Sequence, residues 1–427
     1  MEAQGGSRKR KVTAGDVDGT VDIVEDGGDG ELRRPCWADL NADILRRVAR
    51  VGEFFSLTQS EFLPVVRAVC GPWRTAMPPA SPMFIYTAAL PGGGDDGRVP
   101  GRFASTFSLT LARQVELSIE MDVRLTLNAS RATVGSSGGW LAVKEGFHSR
   151  AMEWILMHPV TGEKIRLPYW GRDDRWVGKI VFAPSPTADS FTVVAIADYN
   201  QLAYAVAGYK KRWCVVNLDG KIDDSDRLCD VVYHAGRFYC ATEMGDMVVV
   251  SLPFPGGRRR RRRARVDGVG RMFDPKSAFP APYCTLYRHT ASKHLVFCKD
   301  VMYQVWRNSV CTVTTAPAAP DRHRYRVVKD EVFVLRFDPG RRDKAWWSEA
   351  SDLGGHAVFI GKNNAVSVRA DGGERPWVMP NCVYWIDSDG RAMVFDMATR
   401  TSKPCVQAAG EKELGRLHRA ICWYFVD

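Results

Sequence analysis

No run of about 18 apolar residues occurs in the 427-residue chain, which excludes a transmembrane helix. The first residues, MEAQGGSRKRKV, are polar and lack an apolar h-region, so no secretory signal is expected. The sequon Asn128-Ala129-Ser130 should therefore stay unmodified. Cysteine pairs are missing too. The 11 cysteines stand singly, with no CxxC. That pattern implies reduced thiols in cytosol or nucleus and excludes a disulfide framework and a zinc finger. Eight histidines give no HExxH and no paired Cys/His spacing. His289 and His294 are five apart in a strand-like region, so they point to opposite faces. The acidic segment Asp16 to Glu31 lacks EF-hand spacing and reads as solvated linker. No metal and no cofactor are expected.

A broad basic surplus is also lacking, although the net charge is +10. RKRK at 8–11 and RRRRRRAR at 258–265 carry eleven positive charges between them, and the rest of the chain stands at −1. A body this close to neutral offers no basic groove, which argues against nucleic acid as a partner. The two tracts are instead candidate localisation signals: Arg8, Lys9, Arg10 and Lys11 in the tail, and Arg258, Arg259, Arg260, Arg261, Arg262 and Arg263 in an excursion between strands. Nucleus, cytoplasm or both are the expected locations.

What the chain does contain falls into three parts. Residues 1–35 are rich in Gly and Asp and should be disordered. Residues 36–79 carry Leu40, Ile44, Leu45, Val48 and Val51 at helical spacing, with Asp39 or Asn41 as cap. A second apolar stretch runs from Phe62 to Cys70, and Pro78-Pro79 closes the module. Residues 81–425 turn to short β segments such as WLAV, FTVVAIA, MVVVSLP, EVFVLRFD and CVYWID, bounded by Gly, Asp, Asn or Pro. No long amphipathic helix separates them before residue 405. That excludes a parallel α/β sheet and points to a mainly β body. A degenerate form, a strand, then a polar turn, then a basic or polar exit, recurs at Pro159, Leu218, Pro339 and Met397, with intervals of 59, 121 and 58. A period of about 50–60 suggests a kelch-like β-propeller of about six or seven blades, with a basic loop insertion at 256–270.

Chemical motifs dissolve in context. GSSGG at 135–139 places Ser137 in a G-x-S-x-G string, but WLAV follows it where a nucleophile elbow needs a helix. GGGDDG at 92–97 lies in a loop without a helix to face a pyrophosphate. Trp346 and Trp347, adjacent in a strand, should face opposite sides, one in the core and one at the rim. No catalytic residue is assigned, and the protein is not expected to be an enzyme.

The helical segment WADLNADILRRVARV…FLPVVRAVCGPWRTA resembles an F-box. The matching residues are Leu40, Asp43, Ile44, Leu45 and Val48, then Arg67, Val69, Cys70, Trp73 and Arg74. The break at Gly71-Pro72 can start a third short helix, with Pro72 in its first turn. The stretches VGSSGGWLAV…HPVTGEKIRLP at 134–168 and LGGHAVFIGKNNAVSVRA…MPNCVYWIDSDGRAMVFDMATR at 353–400 resemble the plant F-box-associated propellers of the KIB type, abundant in grasses. The resemblance implies a substrate-recruiting subunit of a Skp–cullin–F-box ubiquitin ligase. A Skp-type adaptor would then bind at Leu40, Ile44, Leu45, Val48, Val69, Cys70 and Trp73, a cullin would follow through it, and the propeller would hold a target protein. Two departures, Asn41 where the family has Pro and Pro64 in the second helix, keep an alternative open. In that alternative the propeller no longer binds the adaptor and acts by sequestering a partner.

Overall fold

The computed structural model describes residues 40, 41, 43–45, 47, 69, 70, 72, 73, 82–88, 103–109, 113–120, 133–145, 153–159, 161–169, 177–198, 201–209, 212–223, 226–253, 264–268, 290, 292–308, 312–315, 324–327, 330–340, 346–370, 378–406 and 418–425. The chain divides into two compact units, Met1–Leu40 and Asn41–Asp427. Leu40, half-buried, is the described residue of the first. All that follows concerns the second.

Among the described residues, strands run from Met83 to Tyr424 and make six blades of a propeller and one separate two-stranded sheet. Blade 1 holds β1 (Met83–Ala88), β2 (Phe103–Ser108) and β3 (Arg113–Glu120). Blade 2 holds β4 (Thr133–Ser137), β5 (Trp140–Glu145), β6 (Glu153–Met157) and β7 (Lys164–Arg166). Blade 3 holds β8 (Val177–Phe182), β9 (Thr192–Ala197), β10 (Gln201–Val206) and β11 (Cys214–Val215). Blade 4 holds β12 (Leu228–His234), β13 (Arg237–Thr242), β14 (Met247–Ser251) and β15 (Arg265–Gly268). Blade 5 begins with β16 (Ser292–Cys298) and β17 (Val301–Arg307). A separate hairpin follows, β18 (Thr312–Thr315) with β19 (Arg324–Val327), before β20 (Val332–Phe337) and β21 (Trp347–Glu349) complete the blade. Blade 6 has five strands, β22 (His356–Phe359), β23 (Val366–Arg369), β24 (Cys382–Ile386), β25 (Ala392–Asp396) and β26 (Thr401–Pro404). In it β22 and β24 pair in parallel and β23 takes the inner edge.

The last strand, β27 (His418–Tyr424), pairs with β1 at the inner edge of blade 1. The end of the strand series thus closes the ring. Three bonds lock this seam to blade 2: Tyr424 Oη donates to Gly139 O (3.0 Å), Gly139 N donates to Phe425 O (3.0 Å), and Ser136 Oγ donates to Trp423 O (2.5 Å).

The core is a ring of six clusters, one between each pair of neighbouring blades. Both faces of a blade are therefore covered. This explains strands such as TVVAIA and QLAYAV, buried along five consecutive residues where a half-exposed sheet would alternate. The seam between blades 6 and 1 is aromatic. Phe359 stacks on Tyr384 (4.5 Å) and meets Trp423 edge-on (5.1 Å), while Phe84 meets Trp423 edge-on (5.9 Å).

Several local expectations change. GSSGG is the end of β4 plus a two-residue hairpin turn, Gly138 and Gly139, both at positive φ (50° and 74°). Trp347 is in the core and Trp346 is half-buried, as expected, but both pack on the same cluster rather than on opposite faces, Trp346 lying just before β21. The basic insertion is shorter than 256–270, since Arg265–Gly268 pairs with Val248–Ser251 as the outer strand of blade 4. Three of the four repeat anchors, Pro159, Pro339 and Met397, lie in the hairpin between a blade's last two strands, in blades 2, 5 and 6. Leu218 falls after the last strand of blade 3, one strand out of register.

Candidate binding mouth at the propeller axis

Three inner strands carry a polar residue at their third position. These are Lys179 in VGKIVF, Asp230 in LCDVVYH and His294 in SKHLVFC. In β8 and β12 the pairing register shifts just before it, between Val177 and Lys179 and between Leu228 and Asp230. In β4 the same shift precedes Gly135. A bulge bends the strand and re-aims a side chain. Here it brings the third residues of neighbouring blades together.

Lys179 Nζ donates to Asp230 Oδ1 (2.5 Å) and to Gly361 O (2.9 Å). Leu295 N donates to Asp230 Oδ2 (2.8 Å), and His294 Nδ1 lies 3.6 Å from the same oxygen. The Lys179 and Asp230 side chains are 6% and 0% exposed. One carboxylate thus joins blades 3, 4 and 5, and Lys179 extends the link to blade 6. Burial would raise the Asp230 carboxyl, but the Lys179 ammonium and His294 outweigh it and hold it below the usual carboxylate range.

A second polar layer comes from GKNN at 361–364, between β22 and β23. Asn364 N donates to Ser136 O (2.7 Å), and Asn364 Oδ1 accepts from Tyr233 N (2.9 Å). Asn363 Nδ2 donates to Phe359 O (3.0 Å) and Asn364 O (2.9 Å). The approach is close. A Cβ on Gly135 would stand 1.9 Å from Ile180 O, so no other residue fits there.

Where the inner strands begin, these layers floor a cavity of about 400 Å³. Its charged lining is Lys179, Arg307, Lys362 and Asp387, with His294 beside them. Arg307 Nη1 donates to Asp330 Oδ1 (3.3 Å). Burial pushes the Lys362 ammonium down to about 8, with the Cys422 thiol opposing. Cys229 also lines the cavity, but burial raises its thiol far above neutrality, against a smaller opposing pull from Lys293, so it is no ready nucleophile. No group of three or more His, Cys, Asp or Glu that could hold a metal ion occurs among the described residues. The arrangement can bind an inserted side chain or small polar group from several blades at once.

Few of these residues stood out in the sequence. The available signal was a polar or charged residue third in the inner strand of three successive blades.

The residues singled out by the F-box resemblance do not meet at this mouth. Asn41 caps a helical turn: Asp43 N donates to Asn41 Oδ1 (2.7 Å) and Leu45 N to Asn41 O (3.1 Å). Asp43, Ile44, Leu45 and Arg47 are helical. Leu45 is buried (1% exposed), whereas Ile44 is 51% exposed. Val69 is helical and 54% exposed, Cys70 is a non-helical, half-buried free thiol, and Pro72 and Trp73 are helical again, Trp73 half-buried. Val48, Arg8, Lys9, Arg10, Lys11 and Arg258 to Arg263 lie outside the described residues.

A family model, the KIB1-4 beta-propeller, matches residues 111–396. No curated protein matches the chain. Solved structures similar to it include a chain of the S. cerevisiae Dbp5 assembly with Nup159, Gle1, IP6 and ADP, at 8% identity and TM-score 0.32, covering 74% of this chain and 93% of that one. Another is a protein assigned as a 6-phosphogluconolactonase from Bacteroides uniformis, at 9% identity and TM-score 0.35, covering 82% of this chain and 100% of that one.

Proposed function

Because the chain belongs to the KIB1-4 beta-propeller family, we propose that it recruits a target protein to a Skp–cullin–F-box ubiquitin ligase, the propeller holding the target and the helical segment near residues 40–73 holding a Skp-type adaptor. Six stacked blades form a rigid scaffold whose loops are free to vary, an arrangement suited to protein recognition. The observation that carries the adaptor half is the exposure of Ile44 and Val69, at 51% and 54%. Both are large apolar residues on helical turns, and both fall on the F-box pattern. Two large apolar residues left in solvent on helical turns support a surface meant for a partner helix.

The test is co-purification of the full chain with a Skp-type adaptor. Ile44→Asp is the informative variant because Ile44 is exposed, so its melting temperature should match wild type while adaptor capture falls at least about tenfold, the effect of a charge in an apolar interface. Leu45→Asp is a poorer probe, since a charge at a 1% exposed site disrupts the turn itself. A wild-type chain that never captures the adaptor would remove the ligase half and leave a propeller that sequesters its partner.

A further inference from the structure

We propose that the mouth at the propeller axis is an oxyanion site, taking a carboxylate or phosphate group presented by the target protein. This rests on the reading of the propeller as a target-binding body. Three cationic side chains from three blades line the cavity, Lys179 from blade 3, Arg307 from blade 5 and Lys362 from blade 6, against the single acid Asp387. The carboxylates paired with Lys179 and Arg307 do not line the void. Asp230 is wholly buried beneath Lys179, and Asp330 meets Arg307 outside the lining. A group entering the mouth therefore meets the cations first.

Asp387 is further committed. Its Oδ1 accepts from Asp389 N (2.9 Å) and Arg391 N (2.8 Å) in the turn after β24, which leaves it a weaker repellent than a free carboxylate. Room for the ligand comes from small residues, Gly178, Gly361, Gly390 and Ala420, on three different blades. A void of about 400 Å³ suits one or two side chains and is too small for a folded element. Lys362, held down to about 8 by burial, would regain a firm charge once an anion sat beside it. Discrimination should come from charge and fork geometry, because Arg307 can offer a guanidinium edge that lysine cannot.

The test uses the full chain at low salt, titrated with inorganic phosphate and, separately, with N-acetylglutamate amide, each followed by calorimetry. Wild type should bind at least one. Lys362→Gln should weaken it about threefold to tenfold, and Asp387→Asn should tighten it by a similar factor, as expected for one charge in a partly buried site. Asp387→Asn keeps the oxygen that caps the turn, and a gain in affinity cannot arise from misfolding. Preference for phosphate or for the carboxylate identifies which group the site is built for. Failure of both probes to bind, or identical binding in the three proteins, overturns the proposal. Target capture by the same three proteins separates the two readings. If the probes respond but capture does not, the target does not present its anion here and recruitment by another surface stands. If the probes respond and no target is ever captured, the recruitment reading fails while the anion site remains.

Discussion

Asp230 shows how much one buried side chain can organise. It has no exposed surface, and its partners come from the two flanking blades. Removing it leaves the Lys179 ammonium at 6% exposure with one carbonyl for company. Asp230→Ala should therefore cost about 3–5 kcal/mol, the usual penalty for stranding a buried charge. Replacing both partners, Lys179→Met with Asp230→Leu, should recover most of that loss. Urea unfolding of the three proteins checks this. A double variant no more stable than Asp230→Ala would show that the bonds to Leu295 N and Gly361 O matter more than the charges. At this scale the sequence was least legible. Lys179, Asp230 and His294 read as ordinary polar residues in short strands, because nothing local reveals that three inner strands, two of them bulged, bring these side chains together. The asparagines of GKNN likewise read as loop, and their role appears only once Ser136 and Tyr233 stand beside them.

Among the elements, strands were legible and their partners were not. Segments such as FTVVAIA and CVYWID are too apolar and β-branched to be anything else, and each is a strand. The strands missed include less apolar ones, β4 with its Gly-Ser content, β7, β23 and β26, and also the apolar β1, β12, β17 and β27. The repeat was found but placed one strand out in blade 3, where the outer strand is two residues long. The arginine tract belongs to the same hairpin position as the short turns of blades 2, 5 and 6, but in blade 4 it joins Ser251 to Arg265. Deleting Arg258 to Arg263 leaves seven residues between that pair, ample for a hairpin connection. The melting temperature should shift by no more than about 2 °C, since a surface connection contributes little buried area. A fall of many degrees would mean that the arginines are tied into the blade. Imaging the same variant tests localisation: loss of nuclear accumulation assigns the signal to this tract, and its persistence passes the role to Arg8–Lys11.

For the whole molecule, five of the six blade interfaces also bury thiols. Burial pushes Cys298, Cys382, Cys405 and Cys422 up to about 12, and raises Cys229 and Cys240 as well. In the unfolded chain a thiol ionises near about 8.5. A group whose folded pKa is raised contributes stability that is complete below the unfolded pKa and is lost as pH rises toward the folded one. Lys293 and Lys362, both held down to about 8, act in the opposite sense between about 8 and 10.5. Six thiols outweigh two amines, so the urea midpoint should fall steadily from pH 8.5 to 10.5. A midpoint that stays level or rises across that range would mean that the cysteines are not sealed between the blades.

The proposed function makes the chain a bridge, with an adaptor at one set of residues and a target at another. The most direct measurement is therefore capture of adaptor and target on the same chain, compared between wild type, Ile44→Asp and Lys362→Gln. Wild type should retain both partners, Ile44→Asp should lose the adaptor and keep the target, and Lys362→Gln should do the reverse. Loss of both partners in either variant at an unchanged melting temperature, or retention of both in all three proteins, would contradict it.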